Sequence, residues 1–338
     1  MGLDRSPDTA IRKINRRDFL RITSLAGGAV ALCNIEDVFA LSAKRITIAT
    51  GDIGSASFAI GTGIAKTLAK YSGVETVAEI TAGLVDNCEL VGSKRSDLGL
   101  VTADTAYDAF RGSGVFEGNP IPIRVLTVLY PTYAHVVTLE NKGIFGIKDL
   151  AGRSVAIGTP GSGTHTIALR LFEAAGIIPG TDITVMNIAS SELPRALRNG
   201  KIDAYVLSSG VPAESLCDLA STPGPTMFLV SHDTLIPLMK ANHGPVYYTS
   251  AISRDIYPGM KEDAIVCAVA NVIICHRDMD TRSAYDTLKT IFGHLKEIYP
   301  VHNEARQISL ELGASLNSIP YHPGAQKFFQ EKGYAAPA

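Results

Sequence analysis

The 338-residue sequence predicts an α/β fold in two parts, each with its own strands and helices. Three observations predict it. Short apolar strand patterns alternate with amphipathic helical patterns, first over 45–119 and again over 154–230, which implies parallel sheets. Within each region a strand opens into a helix through a Gly/Ser-rich turn. Between them lies an unusually long β-like run, Arg124 to Leu139, broken by Pro131. A strand interrupted by proline cannot pair centrally throughout, so this run reads as a crossover from one sheet to another. The length also suggests about two domains at ~150 residues each.

The elements follow from local pattern. Arg45 to Thr50 alternates polar and apolar residues, and Ala59 to Tyr71 has helical apolar spacing. The loop between them contains Gly51, Gly54, Ser55, Ser57 and Phe58. Thr76–Ile80 and Asp97–Val101 are the next strands, with a helix carrying Leu84, Val85, Cys88, Leu90 and Val91 between them. Thr102-Ala103-Asp104 falls at the C-terminal end of the third strand, outside which open α/β sheets take ligands. In the second region Val155–Ile157, Ile183–Ile188, Ile202–Leu207 and Met227–Val230 are strands of a second parallel sheet. Val246–Ile252 carries the chain back, Ile265–His276 is strongly apolar and strand-like, and Tyr285–Tyr299 is helical.

The focal stretch is Val155 to Leu171. A short buried strand runs into Gly158-Thr159-Pro160-Gly161-Ser162-Gly163-Thr164-His165-Thr166 and then an amphipathic helix. Gly158, Gly161 and Gly163 let the backbone turn sharply and approach a guest closely. Ser162, Thr164 and Thr166 supply hydroxyls where a helix start is capped. The first N–H groups of that helix lack internal partners and carry about half a positive charge, so a carboxylate is the natural guest. The stretch is not a P-loop, because no lysine follows Gly163. It is not a nucleophile elbow either, because Ser162 lacks glycines at both −2 and +2. An ordinary capped βα turn is the alternative reading.

Composition narrows the classes. Net charge is −2 with no basic run, which argues against nucleic acid as a partner. There is no CxxC or Cys/His metal spacing, so no metal and no cofactor are expected. Cys267 and Cys275 share one strand-like run and would lie roughly 26 Å apart at ~3.3 Å per residue, too far for a disulfide. Cys88, Cys217, Cys267 and Cys275 are all read as buried apolar residues.

Residues 1–43 read as an export leader rather than fold. Asn15-Arg16-Arg17-Asp18-Phe19-Leu20-Arg21 is a twin-arginine pattern, followed by an apolar stretch from Ile22 to Leu32 and small residues at Ala40 and Ala43. Cleavage is expected after Ala40 or Ala43. Leu32 before Cys33 is too large for a lipidation site. Removing the leader takes away six basic and five acidic residues and leaves a net charge of −3. The expected destination is the periplasm.

Several segments together resemble the TAXI family, the solute-receptor subunits of tripartite ATP-independent periplasmic (TRAP) transporters. They are Thr50-Gly51 with Gly61, Ser96-Asp97-Leu98-Gly99, Asp104-Thr105-Ala106-Tyr107, Leu129-Tyr130-Pro131, Asp149-Leu150-Ala151-Gly152, Val155 to Thr164, Gly200 to Ala204, and Gly210-Val211-Pro212. The resemblance covers the mature chain in one order and is weakest after about residue 260. It implies a type II-like periplasmic-binding-protein fold, two α/β lobes joined by hinge strands with a ligand cleft between them. The expected boundaries are 44–131 plus 251–338 for lobe 1 and 132–250 for lobe 2. It further implies a small carboxylate ligand, glutamate-like or related, and membrane permease subunits as partners. Two departures stand out. Ser57-Phe58 occupies the place of aromatic residues late in the first loop, and Thr102-Ala103-Asp104 replaces Gln-Ser-Asp. Both reduce polarity or reach and leave open a smaller or less polar carboxylate.

The expected ligand-binding residues are Gly54, Ser55, Ser57, Phe58, Thr102, Asp104, Tyr130, His135, Gly161, Ser162, Gly163, Thr164, His165, Ser208 and Gly210. Asp104 could hold a ligand amino group or cap the following helix. Tyr130 and His135 lie near the expected hinge. No catalytic residue is expected. Two alternatives are a sensor subunit presenting its closed form to a membrane signalling partner, and a hydrolase using Ser162 with His165. In the latter the two residues sit three apart on one helix start, an awkward geometry for a nucleophile and its base.

Overall fold

The structure is a computed structural model, and it describes residues 45–337. The expected leader and its cleavage site lie outside those residues. Strands β1 (Ile46–Ala49), β2 (Thr76–Glu79) and β3 (Leu98–Thr102) are joined by helices α1 (Ala56–Ser72) and α2 (Leu84–Gly92), and α3 (Ala103–Arg111) follows β3. The chain then enters the long β4 (Ile123–Leu139). After it come β5 (Ser154–Ala156), α4 (Gly163–Ala175), β6 (Thr184–Met186), α5 (Leu193–Arg198) and β7 (Ala204–Ser209). Helices α6 (Glu214–Ser221) and α7 (Ile236–His243) flank β8 (Met227–Leu229). The return runs through β9 (Tyr247–Ile252) and β10 (Ala264–His276) to α8 (Thr281–Gly293) and a helical tail.

All ten strands join one sheet, in the order β2-β1-β3-β10-β4-β7-β5-β6, with β8 on β4 and β9 on β10. The expectation of two separate sheets is corrected here. The two halves repeat one plan: β2-β1-β3 are parallel and end on antiparallel β10, while β6-β5-β7 are parallel and end on antiparallel β4. Strands β4 and β10 are long enough to serve both halves and pair with each other, from His276↔Ile123 to Ala268↔Tyr133. The result is a two-lobed α/β fold in which each lobe buries its strands under its own helices.

Pro131 does not break β4. It pairs opposite Ala270 at a point where only β10 flanks the strand, because β7 joins only at Tyr133. A proline is tolerated where its missing N–H faces no ladder partner. The register of β10 against β4 shifts between Asn271 and Val272, a bulge in the middle of the crossing. The side-chain amide of Asn271 donates there to Tyr130 O, at 3.4 Å, and to Thr132 Oγ1.

The core follows the strand pattern. Val125, Leu126, Val128, Leu129, Val272, Ile273 and Ile274 are fully buried, as are Ile60, Ile64, Ile167, Leu171 and Phe172 on the covering helices. Cys88, Cys267 and Cys275 are buried free thiols, as expected for apolar packing, but Cys217 on α6 is only partly covered. No described helix is long and apolar enough to cross a membrane.

Candidate functional site

The two lobes present matching strand-to-helix turns. After β1, Ser55 N donates to Asp52 O at 3.0 Å across Ile53-Gly54, and Gly54 has φ +91°. After β5, Ser162 N donates to Thr159 O at 3.0 Å across Pro160-Gly161, and Gly161 has φ +83°. Both have the form of a type II turn with glycine at its third position, the one that needs positive φ, and Pro160 pre-sets the second position of the later turn. Each turn delivers a serine as N-cap in extended conformation, Ser55 at φ −80°, ψ 151° and Ser162 at φ −80°, ψ 156°. Ser55 Oγ accepts the Phe58 N–H and Ser162 Oγ accepts the His165 N–H, both at 3.2 Å.

The remaining first-turn donors have no such partner. Among the described residues, no acceptor meets the N–H groups of Ala56 and Ser57 on α1 or of Gly163 and Thr164 on α4. Each helix start is therefore a site of partial positive charge with two unpartnered donors.

The turn before α4 closes on the other lobe. A Cβ on Gly83, which has φ +135°, would meet Gly161 O at 2.8 Å. One on Gly163 would meet Leu84 Cδ1 at 3.3 Å and Thr102 Cγ2 at 3.7 Å. The expected residues Gly161, Gly163 and Thr102 are thus brought together, at the C-terminal ends of parallel strands. Thr164 faces its own lobe, where Oγ1 accepts the Ser208 N–H at 3.0 Å and its methyl fills the space beside Gly158. His165 is half-buried, and that burial lowers its pKa.

In the first loop the Ser55 and Ser57 hydroxyls lie 3.1 Å apart and occupy the space a side chain on Gly51 would need. Gly54 and Phe58 stand beside them in the turn and first helical turn. Thr102 Oγ1 lies 3.2 Å from Thr105 Oγ1. Ser208 is the penultimate residue of β7, and Gly210 follows the strand. A Cβ on Gly210 would strike the carboxylate of Glu304, a buried residue from the C-terminal segment that pattern reasoning missed. Glu304 Oε2 in turn meets His302 Nδ1.

Three expected ligand residues are engaged inside the protein. Asp104 is 1 % exposed, with Oδ1 accepting the Thr105 N–H and Oδ2 accepting the Tyr247 hydroxyl at 2.8 Å. Arg170 Nη1 lies 3.4 Å from the same Oδ2. Asp104 therefore neither caps α3 by reaching N3 nor offers a free oxygen to a ligand amine. His135 is fully buried. Its Nδ1–H faces Tyr133 O and Leu207 O at 3.1 and 3.2 Å, and Nε2 lies 3.3 Å from the Tyr257 hydroxyl. Burial lowers its pKa to about 4, so it is a neutral packing histidine. Tyr130 is also buried, and desolvation raises the pKa of its phenol.

Two further cross-lobe residues escaped the sequence reading. Arg170 on α4 and Tyr247 on β9 are 8 % and 2 % exposed. Arg170 Nη2 also donates to Asp108 Oδ2, opposing the upward push that burial gives the Asp108 carboxyl. The one available signal was a charged residue amid the apolar face of Ile167, Ala168 and Leu171.

The Ser162–His165 side-chain pairing that a hydrolase would use is not formed. Ser162 Oγ is bonded to the backbone N–H of His165 rather than to its ring. Among the described residues, no group of three His, Cys, Asp or Glu side chains is placed to hold a metal.

The α4 helix start thus lies against the opposite lobe, and the α1 start repeats its glycine-serine turn. The chain belongs to the NMT1-like family, whose model matches residues 48–333. XAC2383 from Xanthomonas citri shares the fold in two structures, one bound to ATP and one to chloride ion. Each has a TM-score of 0.50 over 85 % of this chain and 95 % of that one, at 10 % and 12 % identity. The periplasmic aliphatic sulphonate binding protein SsuA from Escherichia coli matches at a TM-score of 0.45 and 16 % identity, over 78 % of this chain and 74 % of its own.

Proposed function

We propose that the protein is an extracytoplasmic solute receptor that captures a small carboxylate by hinge closure. The observation that carries the proposal is the pair of matched turns, Asp52–Ser55 and Thr159–Ser162, each leaving two helix N–H groups without a partner. Two helix ends of about half a charge each suit an anion that would otherwise lose its hydration on burial. In this reading the lobes span 44–131 plus 251–338 and 132–250, and motion occurs about β4 and β10. Ligand binding shifts an open–closed equilibrium by its differential affinity for the closed state.

The TAXI-like segments extend the proposal to a receptor of a TRAP transporter that delivers its ligand to membrane permease subunits. The twin-arginine pattern supports a periplasmic location. Family membership and fold support a binding role; the ligand class rests on the helix starts.

Thermal-shift titration with a panel of small mono- and dicarboxylates, with amines and neutral sugars as controls, tests it. A ligand at 100 times its Kd adds about 2.7 kcal/mol of stability, a shift of a few degrees. A carboxylate that raises Tm is the expected result. Response only to amines or sugars would overturn the carboxylate assignment.

A further inference from the structure

Arg170, Asp104, Asp108 and Tyr247 form a buried charged cluster that crosses between the lobes, away from the unpartnered helix N–H groups. Asp104 and Asp108 lie on α3 in the first lobe. Arg170 lies on α4 and Tyr247 on β9, both in the second. We propose that this cluster is a latch that holds the lobes closed, with Arg170 a positioning residue for the turn at Gly161–Thr164. The proposal rests on the closure part of the receptor reading but not on the ligand's identity.

The division of labour within each carboxylate carries the argument. Asp104 Oδ1 accepts the Thr105 N–H at 2.8 Å, and Asp108 Oδ1 accepts the Ser113 hydroxyl at 3.2 Å. Each acid is thus fixed by its own lobe through one oxygen. The other oxygen reaches across: Asp104 Oδ2 to the Tyr247 hydroxyl at 2.8 Å and Arg170 Nη1 at 3.4 Å, and Asp108 Oδ2 to Arg170 Nη2. Arg170 Nη1 also donates to Tyr247 Oη at 2.6 Å, which ties the two second-lobe members together. The acidic side is preorganised, and the basic side is delivered by the opposite lobe.

Placement links the latch to the rim. Gly163, seven residues before Arg170 on α4, faces Thr102, two residues before Asp104 at the start of α3. The same pair of helices therefore carries both contacts. A third contact lies beside them, where the Tyr107 ring of α3 fills the space next to Gly244, just after α7. Separating the lobes would strip two buried carboxylates of Arg170, the one cation paired with them among the described residues, which is unfavourable until water replaces it.

The test measures lobe separation directly, without ligand, in the full chain. Spin labels at Lys66→Cys on α1 and Ile178→Cys after α4, in a Cys33→Ser/Cys217→Ser background, report the inter-lobe distance by double electron–electron resonance. The parent protein is expected to show a short-distance population beside a long-distance one. Asp104→Asn/Asp108→Asn/Arg170→Met removes all the charge at once. It avoids the isolated buried charge that a single substitution leaves. The ratio of long- to short-distance populations should rise at least about tenfold. Tyr247→Phe, which removes only the bridging hydroxyl, should give a smaller rise with Tm nearly unchanged; it decides the matter if the triple variant does not fold. A parent already at the long distance, or variants with the parent's distribution, would overturn the latch. A protein that latches yet binds no carboxylate would leave the latch standing and refute the ligand assignment.

Discussion

Gly163→Val tests the rim contact most directly. Gly163 is the first residue of α4, and a Cβ there would stand 3.3 Å from Leu84 Cδ1 and 3.7 Å from Thr102 Cγ2 on the opposite lobe. Alanine would need a few tenths of an ångström of give, which the end of a leucine side chain can supply. Valine adds two more carbons beside Leu84 and Thr102. Overpacking of this kind costs about 1–3 kcal/mol. The cost falls on the closed state alone, so affinity should fall about 5- to 150-fold. The open form should be no less stable, because valine is slightly the better helix residue. Calorimetric titration with the best carboxylate of the panel reads the affinity, and differential scanning calorimetry without ligand reads the stability. Gly163→Ala should bind within a few-fold of the parent. Full affinity in Gly163→Val would show that the turn does not close on Leu84 and Thr102. Loss of binding accompanied by a large fall in Tm would instead assign Gly163 a structural role.

Gly83→Ala should impair closure more severely than Gly163→Ala. Its Cβ would sit 2.8 Å from a backbone carbonyl that cannot rotate away, and φ +135° disfavours any side chain, so a tenfold or greater loss of affinity is expected by calorimetry. Ser55→Ala and Ser162→Ala should each cost about 1 kcal/mol in urea unfolding, as lost N-caps do, and the two should add because they cap different lobes. Acid should destabilise the protein through His135 and His232, both buried and held to pKa values of about 4. The unfolded chain takes up these protons near pH 6.5 and the folded chain only near 4, so stability falls as pH drops through that window. The fall can reach roughly 3 kcal/mol per histidine below pH 4. Urea midpoints measured from pH 7 to 4.5 check this, and replacing both histidines with glutamine should flatten the slope.

Most of the local structure was legible because its signals are local. Gly73 and Gly176 sit in left-handed conformation at the ends of α1 and α4, and Ser55 and Ser162 cap their starts, as spacing and turn chemistry required. The crossing strands were partly legible. The length and apolarity of Arg124–Leu139 marked a special element, but Pro131 suggested a break that pairing does not show. A proline's tolerance depends on which neighbour stands beside it, and β7 reaches only to Tyr133. The site was legible as turns and not as partnerships. Asp104 and His135 looked available because their partners, Tyr247, Arg170 and Tyr257, lie 66 to 143 residues away.

The sequence by itself determined where strands give way to helices, which glycines and serines shape those turns, and which residues are apolar enough to be covered. These depend on backbone sterics and on hydrogen bonds spanning three or four residues. Only the tertiary structure decided that ten strands form one sheet, that Gly161 meets Gly83 across the lobes, and that Arg170 is buried between two acids. Those outcomes depend on which surfaces meet once the loops have closed, and no short-range preference encodes that choice.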